Sequence, residues 1–242
     1  MKLIRIYQPG HYQVGQLVEL SASAAQHVGT VLRMQQHDQF VLFSGSNQEY
    51  LSVITDIQKK KVIVKIVAAN TIDRESSLKI HLAQAISKGE RMELVIQKTV
   101  ELGVSSVTPI ISARCVVKLD CERLEKKRLQ WQAIAIAACE QSGRNCVPEI
   151  LAPMSIDDYL RQCSQRLKFI LYPGASKSWR DYPVEEQELA LLIGPEGGLT
   201  GAEIDTAMSR QFLPLSLGPR ILRTETAAIA ALALFQAVSG NL

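Results

Sequence analysis

The 242-residue sequence is short of most features that announce a catalytic class. Aromatic residues make up only 5% of it, too few for a broad base-stacking platform. Its five cysteines, Cys115, Cys121, Cys139, Cys146 and Cys163, form no C-x-x-C pair. An odd count without metal-ligand spacing points to reduced thiols and a cytoplasmic protein. The four histidines, His11, His27, His37 and His81, lie apart and pair with neither cysteine nor acid at ligand spacing, so no metal is expected. The absence of G-x-x-x-x-G-K-[ST] argues against a nucleotide triphosphatase, and the absence of G-x-G-x-x-G against a dinucleotide enzyme. There is no G-x-S-x-G elbow for a hydrolase. The longest apolar run, 227–235, is far shorter than a membrane span. The opening MKLIRIYQPG carries no signal-peptide apolar stretch. No internal repeat or low-complexity tract breaks the chain.

What is present is unevenly distributed. Residues 1–70 hold seven Lys/Arg and four Asp/Glu, and the remainder holds 20 of each sign. The whole net charge of +3 therefore sits in the first segment, a modest basic excess of the kind that suits nucleic acid. That segment reads as mostly β. Strands fit 16–20, 40–43, 50–57 and 61–67, the last alternating with Val62, Val64 and Ile66 on one face. One short helix fits 24–33, with Ser23 as N-cap. A small β barrel or sandwich is the natural packing. The polar, charged stretch after it reads as a linker.

From Leu78 onward, strands and helices alternate. Strands fit 78–86, 104–111, 168–171, 189–193 and 213–217. Helices follow the first two strands and the last two. Ser87 and Glu90 form a candidate capping box, as do Thr200 and Glu203. Gly103 and Gly143 lie just past two helix ends. Thr224 or Thr226 caps the last helix, which is apolar nearly all round and therefore buried on several sides, within the fold or in a dimer. This β-α-β-α texture predicts a mostly parallel sheet with helices on both faces.

Two strands in this half end in glycine loops: LALLIGPEGGLTGAEI and PLSLGPRILRTETAAIAALAL. A strand that stops at glycine lets backbone groups approach a ligand closely. The second loop carries Arg220, Arg223 and Glu225, and the first carries Glu196.

These two stretches closely resemble the C-terminal motifs of the RsmE family, the 16S ribosomal RNA (uracil-N3)-methyltransferases of the SPOUT superfamily. The likeness extends to His27-Val28-Gly29-Thr30-Val31-Leu32-Arg33-Met34, to Ser87-Lys88-Gly89-Glu90-Arg91-Met92-Glu93 and to Ala137-Ala138-Cys139-Glu140-Gln141-Ser142-Gly143-Arg144. It covers essentially the whole chain and is weakest over 155–188. The resemblance implies a PUA-like β-barrel that binds RNA over 1–70, a linker at 71–77, and an α/β SPOUT domain with a C-terminal trefoil knot over 78–242. It also implies S-adenosylmethionine, a homodimer with a site shared between subunits, and methylation of N3 of a 16S uridine in the assembled small ribosomal subunit.

Carried onto this sequence, the family's cofactor site falls on Ile193, Gly194, Pro195, Glu196 and Gly197 in the first loop. In the second it falls on Leu215, Ser216, Leu217, Gly218, Ile221, Leu222, Arg223 and Thr226. Leu171 and Tyr172 close the pocket. Loss of the N3 proton has two open routes. Arg220 and Arg223 could stabilise a uridine anion, with Arg144 reaching in from the partner subunit. Alternatively Glu196 or Glu225 could act as base. RNA contacts are expected from Arg5, Arg33, Lys59, Lys60 and Lys61, from Arg144, and from the basic helix start at 123–128. Two other functions fit parts of the pattern: a SPOUT enzyme with another RNA target, and a ribosome assembly factor without catalysis.

Overall fold

The computed structural model describes residues 3–58, 61–115, 120–182 and 187–242. The chain forms two compact units. One is built from the stretch up to Glu75 together with Cys139–Val147, the other from Ser76–Ala138 and Pro148–Leu242. The stretch 71–77 is not a free linker. β5 continues to Thr71, and Arg74 donates to Glu49 at 2.5 Å and to the Gly143 carbonyl at 2.9 Å. These bonds to residues far along the chain are why the first unit does not end at a single point in the sequence.

The first unit is a five-stranded sheet. Its strands are β1 (Arg5–Tyr7), β2 (Leu17–Glu19), β3 (Gln39–Phe43), β4 (Gln48–Gln58) and β5 (Lys61–Thr71), in the order β1-β3-β4-β5-β2. β1 runs parallel to β3, and the other pairs are antiparallel. β1 is too short to give a period-two signal, which is why the sequence does not reveal it. Alternation along β5 buries Val62, Val64 and Ile66 against Phe40, Leu42 and Ile54, as the pattern predicts. Register shifts between Leu51 and Ser52 and between Ile54 and Asp56 bend the long β4–β5 ribbon. The expected 24–33 helix is instead α1 (Ala22–Gln26), capped by Ser21 rather than Ser23, which passes into a π-type turn at His27–Val31. The Ser21 hydroxyl accepts the Ala24 N–H at 3.3 Å.

The second unit is a parallel sheet of β6 (Lys79–Ala85), β7 (Ser106–Ile111), β8 (Glu149–Ile150), β9 (Met154–Ser155), β10 (Leu167–Leu171), β11 (Glu188–Ile193) and β12 (Leu213–Leu215). The order is β12-β10-β11-β6-β7-β8, with β9 also paired to β7. Its helices are α2 (Arg91–Glu101), α3 (Cys121–Ser142), α4 (Ile156–Gln162), α5 (Gly201–Ser209) and α6 (Thr224–Val238). Ile80 and Leu82 are fully buried, and so are 189–192, whose continuous apolar run is what a strand covered on both faces requires. Phe169 of β10 stacks on Phe235 of α6 with ring centroids 5.1 Å apart. Burying such a ring stabilises the fold by about 1.5–3 kcal/mol. His81 of β6 bridges Ser106 Oγ at 2.6 Å and Thr108 Oγ1 at 3.1 Å, and burial pushes its pKa down to about 4.

Two further capping expectations fail and one holds. Ser87 donates to the Ala85 carbonyl at 3.3 Å, α2 begins only at Arg91, and no Ser87–Glu90 box forms. At α6 the N-cap is Arg223, without a side-chain bond, because the Thr224 hydroxyl is engaged elsewhere. The Thr200–Glu203 box is complete: the Glu203 N–H donates to Thr200 Oγ1 at 3.2 Å and the Thr200 N–H to Glu203 Oε2 at 2.7 Å. Among the described residues no helix is long and apolar enough to cross a membrane, and no group of three or more His, Cys, Asp or Glu could hold a metal.

Candidate functional site

The sheet order places the site. β11 is inserted between β6 and β10, so the chain changes direction across the sheet there, and ligands of open α/β sheets bind outside the carboxyl ends of strands at such a point. Leu171 lies in register with both Ile193 and Leu215, so the loops after β10, β11 and β12 leave from one edge. They enclose a cavity of about 980 Å³, within the range of small-molecule pockets. Every residue expected on the cofactor lines this cavity except Thr226. Arg220, Arg223, Glu225 and Glu196 line it too. Thr226 faces a smaller, mostly apolar cavity of about 460 Å³, which it shares with Trp179 and Leu234, because α6 turns it away from the strand ends.

The first loop is held from several directions. The Thr224 hydroxyl donates to the Gly194 carbonyl at 2.6 Å and accepts from Nε2 of the fully buried Gln84 at 2.9 Å. A Cβ on Gly194 would lie 3.0 Å from Leu199 Cγ and 3.1 Å from its backbone nitrogen, a tight contact from which Leu199 would have to give way. Arg114 donates to the carbonyls of Gly197 at 3.0 Å and Leu199 at 3.4 Å. Glu196 accepts the Lys88 N–H at 2.9 Å and Arg91 Nη1 at 2.8 Å. Burial pushes the Glu196 carboxyl up, but backbone hydrogen bonds and the Arg91 guanidinium outweigh it and hold the pKa below the ordinary value. A carboxylate so occupied is a loop anchor and a poor proton acceptor.

The second loop is held lightly. Ser216 N–H donates to the Lys177 carbonyl at 2.8 Å, and Gly218 N–H to Ser216 Oγ at 3.3 Å. Gly218 has φ 109°, a conformation that L side chains rarely adopt, and a Cβ there would meet nothing within 4 Å. Arg220 and Arg223 are exposed, and among the described residues neither forms an ion pair. Ile221 is 82% exposed. Glu225 is buried. Its Oε1 lies 3.9 Å from Arg91 Nε, and its Oε2 has no hydrogen-bond partner among the described residues.

Sequence reasoning assigned no role here to Arg91, Arg114, Thr224 or Gln84. Arg91 stands inside the Ser87–Glu93 motif, which was its only signal. Its contacts with Glu196 and Glu225 lie more than 100 positions away, beyond any local pattern.

The expected RNA contacts divide. Arg5 is buried, donating to Glu49 Oε1 at 2.5 Å, to Asn145 Oδ1 at 2.5 Å and to the Arg144 carbonyl at 3.2 Å. Arg144 is buried too, its guanidinium paired with Glu75. Both are core residues of the first unit and present no charge to a partner, which corrects their placement at an RNA surface or in a neighbouring subunit's site. Arg33 and Lys61 are exposed, with Lys61 3.1 Å from Glu19. Lys59 and Lys60 lie outside the described residues. On α3, Arg123 is paired with Asp120 and Arg128 with Glu125, which cancels much of the helix's positive charge locally.

The model of the RNA methyltransferase domain family matches residues 74–236, and that of the RNA methyltransferase PUA domain matches 20–67. A ribosomal RNA small subunit methyltransferase E from Buchnera aphidicola is 37% identical, with 100% of this chain and 98% of that protein covered. The chain belongs to the ribosomal RNA small subunit methyltransferase E family. The Bacillus subtilis member is 34% identical over 88% of this chain and 87% of its own. Solved structures agree with this membership. A Legionella pneumophila methyltransferase in complex with S-adenosylmethionine superposes with TM-score 0.96 at 56% identity, covering 98% of each chain. The Neisseria gonorrhoeae methyltransferase E bound to S-adenosylmethionine gives 0.91 at 37%, again over 98% of each. The first unit is thus the family's PUA-like domain and the second its α/β methyltransferase domain.

Proposed function

We propose that this chain transfers the methyl group of S-adenosylmethionine to N3 of one uridine of 16S ribosomal RNA, acting in the cytoplasm on the assembled small subunit. The observation that carries the reading is the cavity at the ends of β10, β11 and β12, walled by two glycine loops, in a chain of this family.

The residues present fit such a cofactor. Leu215, Leu217 and Leu222 offer apolar walls for a purine. The N–H groups of Leu217, Ile221 and Leu222 donate to no protein group among the described residues and are free to read its edge. The cofactor supplies an activated methyl group. The chain's part is placement, which in a displacement reaction supplies much of the rate. The anchored first loop forms a fixed wall, and the lightly held second loop closes on the ligand. The uncompensated charges of Arg220 and Arg223 at the mouth favour an RNA phosphate and a developing uridine anion.

The reading extends to architecture. β12 pairs on the far side of β10, yet α6 returns to pack on β6 and β11, and Thr224 reaches Gly194. A chain that passes outward and then back behind an earlier loop supports the trefoil knot. Ile229, Ala230, Ala233 and Leu234 leave part of an apolar α6 only half-buried, which supports a second copy against it and hence a homodimer. In the first unit, Arg33 and Lys61 are the exposed cations proposed to meet RNA.

The test is transfer of tritiated methyl from S-adenosylmethionine to small subunits lacking the modification, with mass mapping of the product. Label at N3 of a single 16S uridine is the expected result. Label on tRNA instead would move the function to another RNA. Absence of label on any RNA would turn the reading toward an assembly factor.

A further inference from the structure

Two carboxylates line the cavity, and one arginine touches both. Arg91 opens α2. Its Nη1 donates to Glu196 Oε1 at 2.8 Å, and its Nε lies 3.9 Å from Glu225 Oε1. The two acids are in opposite situations. Glu196 also accepts the Lys88 N–H and is satisfied. Glu225 is only 9% exposed, and its Oε2 is buried without a hydrogen-bond donor among the described residues. A buried acceptor left unmatched costs about 1–3 kcal/mol, more when charged, so it is retained where a ligand supplies the donor.

We propose that Arg91 divides the work of these two acids, tying Glu196 down as the anchor of the first loop and positioning Glu225 so that its carboxylate accepts the N3 proton of the target uracil. The proposal rests on the reading that N3 of uridine is methylated. The ring nitrogen must lose its proton to become a nucleophile. The N3–H bond breaks, the proton passes to the Glu225 carboxylate, and the pair left on N3 forms the new N–CH3 bond as the methyl–sulfur pair departs with sulfur. Atoms and charge balance without any further reactant. Glu225 is the catalytic residue and Arg91 a positioning residue. The other charged groups lining the cavity are Arg114, Arg220, Arg223 and Glu196, with Tyr172 the other titratable one. Arg114 is occupied with first-loop carbonyls, and Arg220 and Arg223 are exposed cations, so none of them competes for the proton.

The experiment is single-turnover methylation of small subunits by the full-length protein across a range of pH, with cofactor affinity measured separately by calorimetry. Glu225→Gln should bind S-adenosylmethionine within about threefold of wild type and lose about 10²–10⁴-fold in rate at neutral pH, the usual contribution of a general base. Its residual rate should climb with pH as solvent base takes over. Glu225→Asp keeps a carboxylate and should fall between the two. Arg91→Ala should lower the single-turnover rate by about tenfold or more with cofactor affinity within about threefold of wild type, and Arg91→Lys, which keeps a cation beside both carboxylates, should recover part of that rate. A Glu225→Gln enzyme within threefold of wild-type rate overturns the proposal. So does a loss of cofactor affinity that matches the loss of rate, which would make Glu225 a cofactor ligand. A loss of rate in Arg91→Ala that Arg91→Lys does not recover, or that a loss of cofactor affinity matches, reduces Arg91 to a structural part and overturns its positioning role. A wild-type product methylated at another atom overturns the reading of the reaction itself, and this assignment with it.

Discussion

The two loops that wall the cavity begin alike and end differently. Each follows a parallel strand, each turns on glycine, and each leads into a helix. The first is fastened by Thr224, Arg114, Arg91 and the Lys88 N–H, all from outside the loop. The second is fastened mainly by Ser216, one of its own residues, and by the Lys177 carbonyl, and it presents Arg220, Ile221 and Arg223 to solvent. A glycine loop is therefore not one kind of object. In the first, glycine permits close packing of protein on protein. In the second it permits a backbone shape that leaves donors open.

Several measurements would break or sharpen this contrast. The largest effect is expected from Thr224→Val, which strips partners from the Gly194 carbonyl and from buried Gln84. Urea unfolding should show a loss of about 3 kcal/mol. Acid should then remove the frame beneath both loops together. The pKa of His81 is about 4 in the fold against about 6.5 when unfolded, so unfolding takes up a proton below pH 6.5. Its contribution is complete above that value and is lost as pH falls toward 4, to a total of about 3 kcal/mol. His81→Asn should flatten stability over that window. Third, Gly194→Ala forces a Cβ against Leu199 and should cost about 2 kcal/mol. Gly218→Ala meets only open space and should cost about 1 kcal/mol, through its backbone conformation alone. Equal losses at the two glycines would erase the distinction. The smallest effect on stability should come from Arg220→Ala and Arg223→Ala, each within about 0.5 kcal/mol because neither side chain is paired. Arg223→Ala should still bind cofactor and lose most methylation, and full activity in that variant would remove it from the reaction.

Much of this was legible in the sequence because the signals are local. Alternation in β5, the continuous apolar run of β11, the Thr200–Glu203 box and the two glycine loops each occupy fewer than a dozen consecutive residues. What stayed hidden depends on distance along the chain. Nothing near Arg5 says that Glu49 and Asn145 will bury it, so a basic residue in a basic segment reads as surface. Arg144 misleads in the same way through Glu75. Ser87 has the spacing of a cap, but its hydroxyl turns back to the Ala85 carbonyl, and Glu90 becomes the residue before the helix. Three-residue β1 and seven-residue α4 are too short for either periodicity to register. The most informative contact in the site, Arg91 with both acids, joins α2 to residues more than 100 positions later.

That separation bears on synthesis. β6 finds its neighbour β11 only after more than 100 further residues, and the Gly194 carbonyl receives its Thr224 partner 30 residues after that. A nascent chain still short of α6 already has the Arg91, Arg114 and Lys88 fastenings of the first loop, but lacks Thr224, Glu225 and the helix that follows the second loop. The cavity is therefore completed last. An unfinished copy at that stage has every residue of the first unit, 139–147 included, and not yet the whole wall of the cavity.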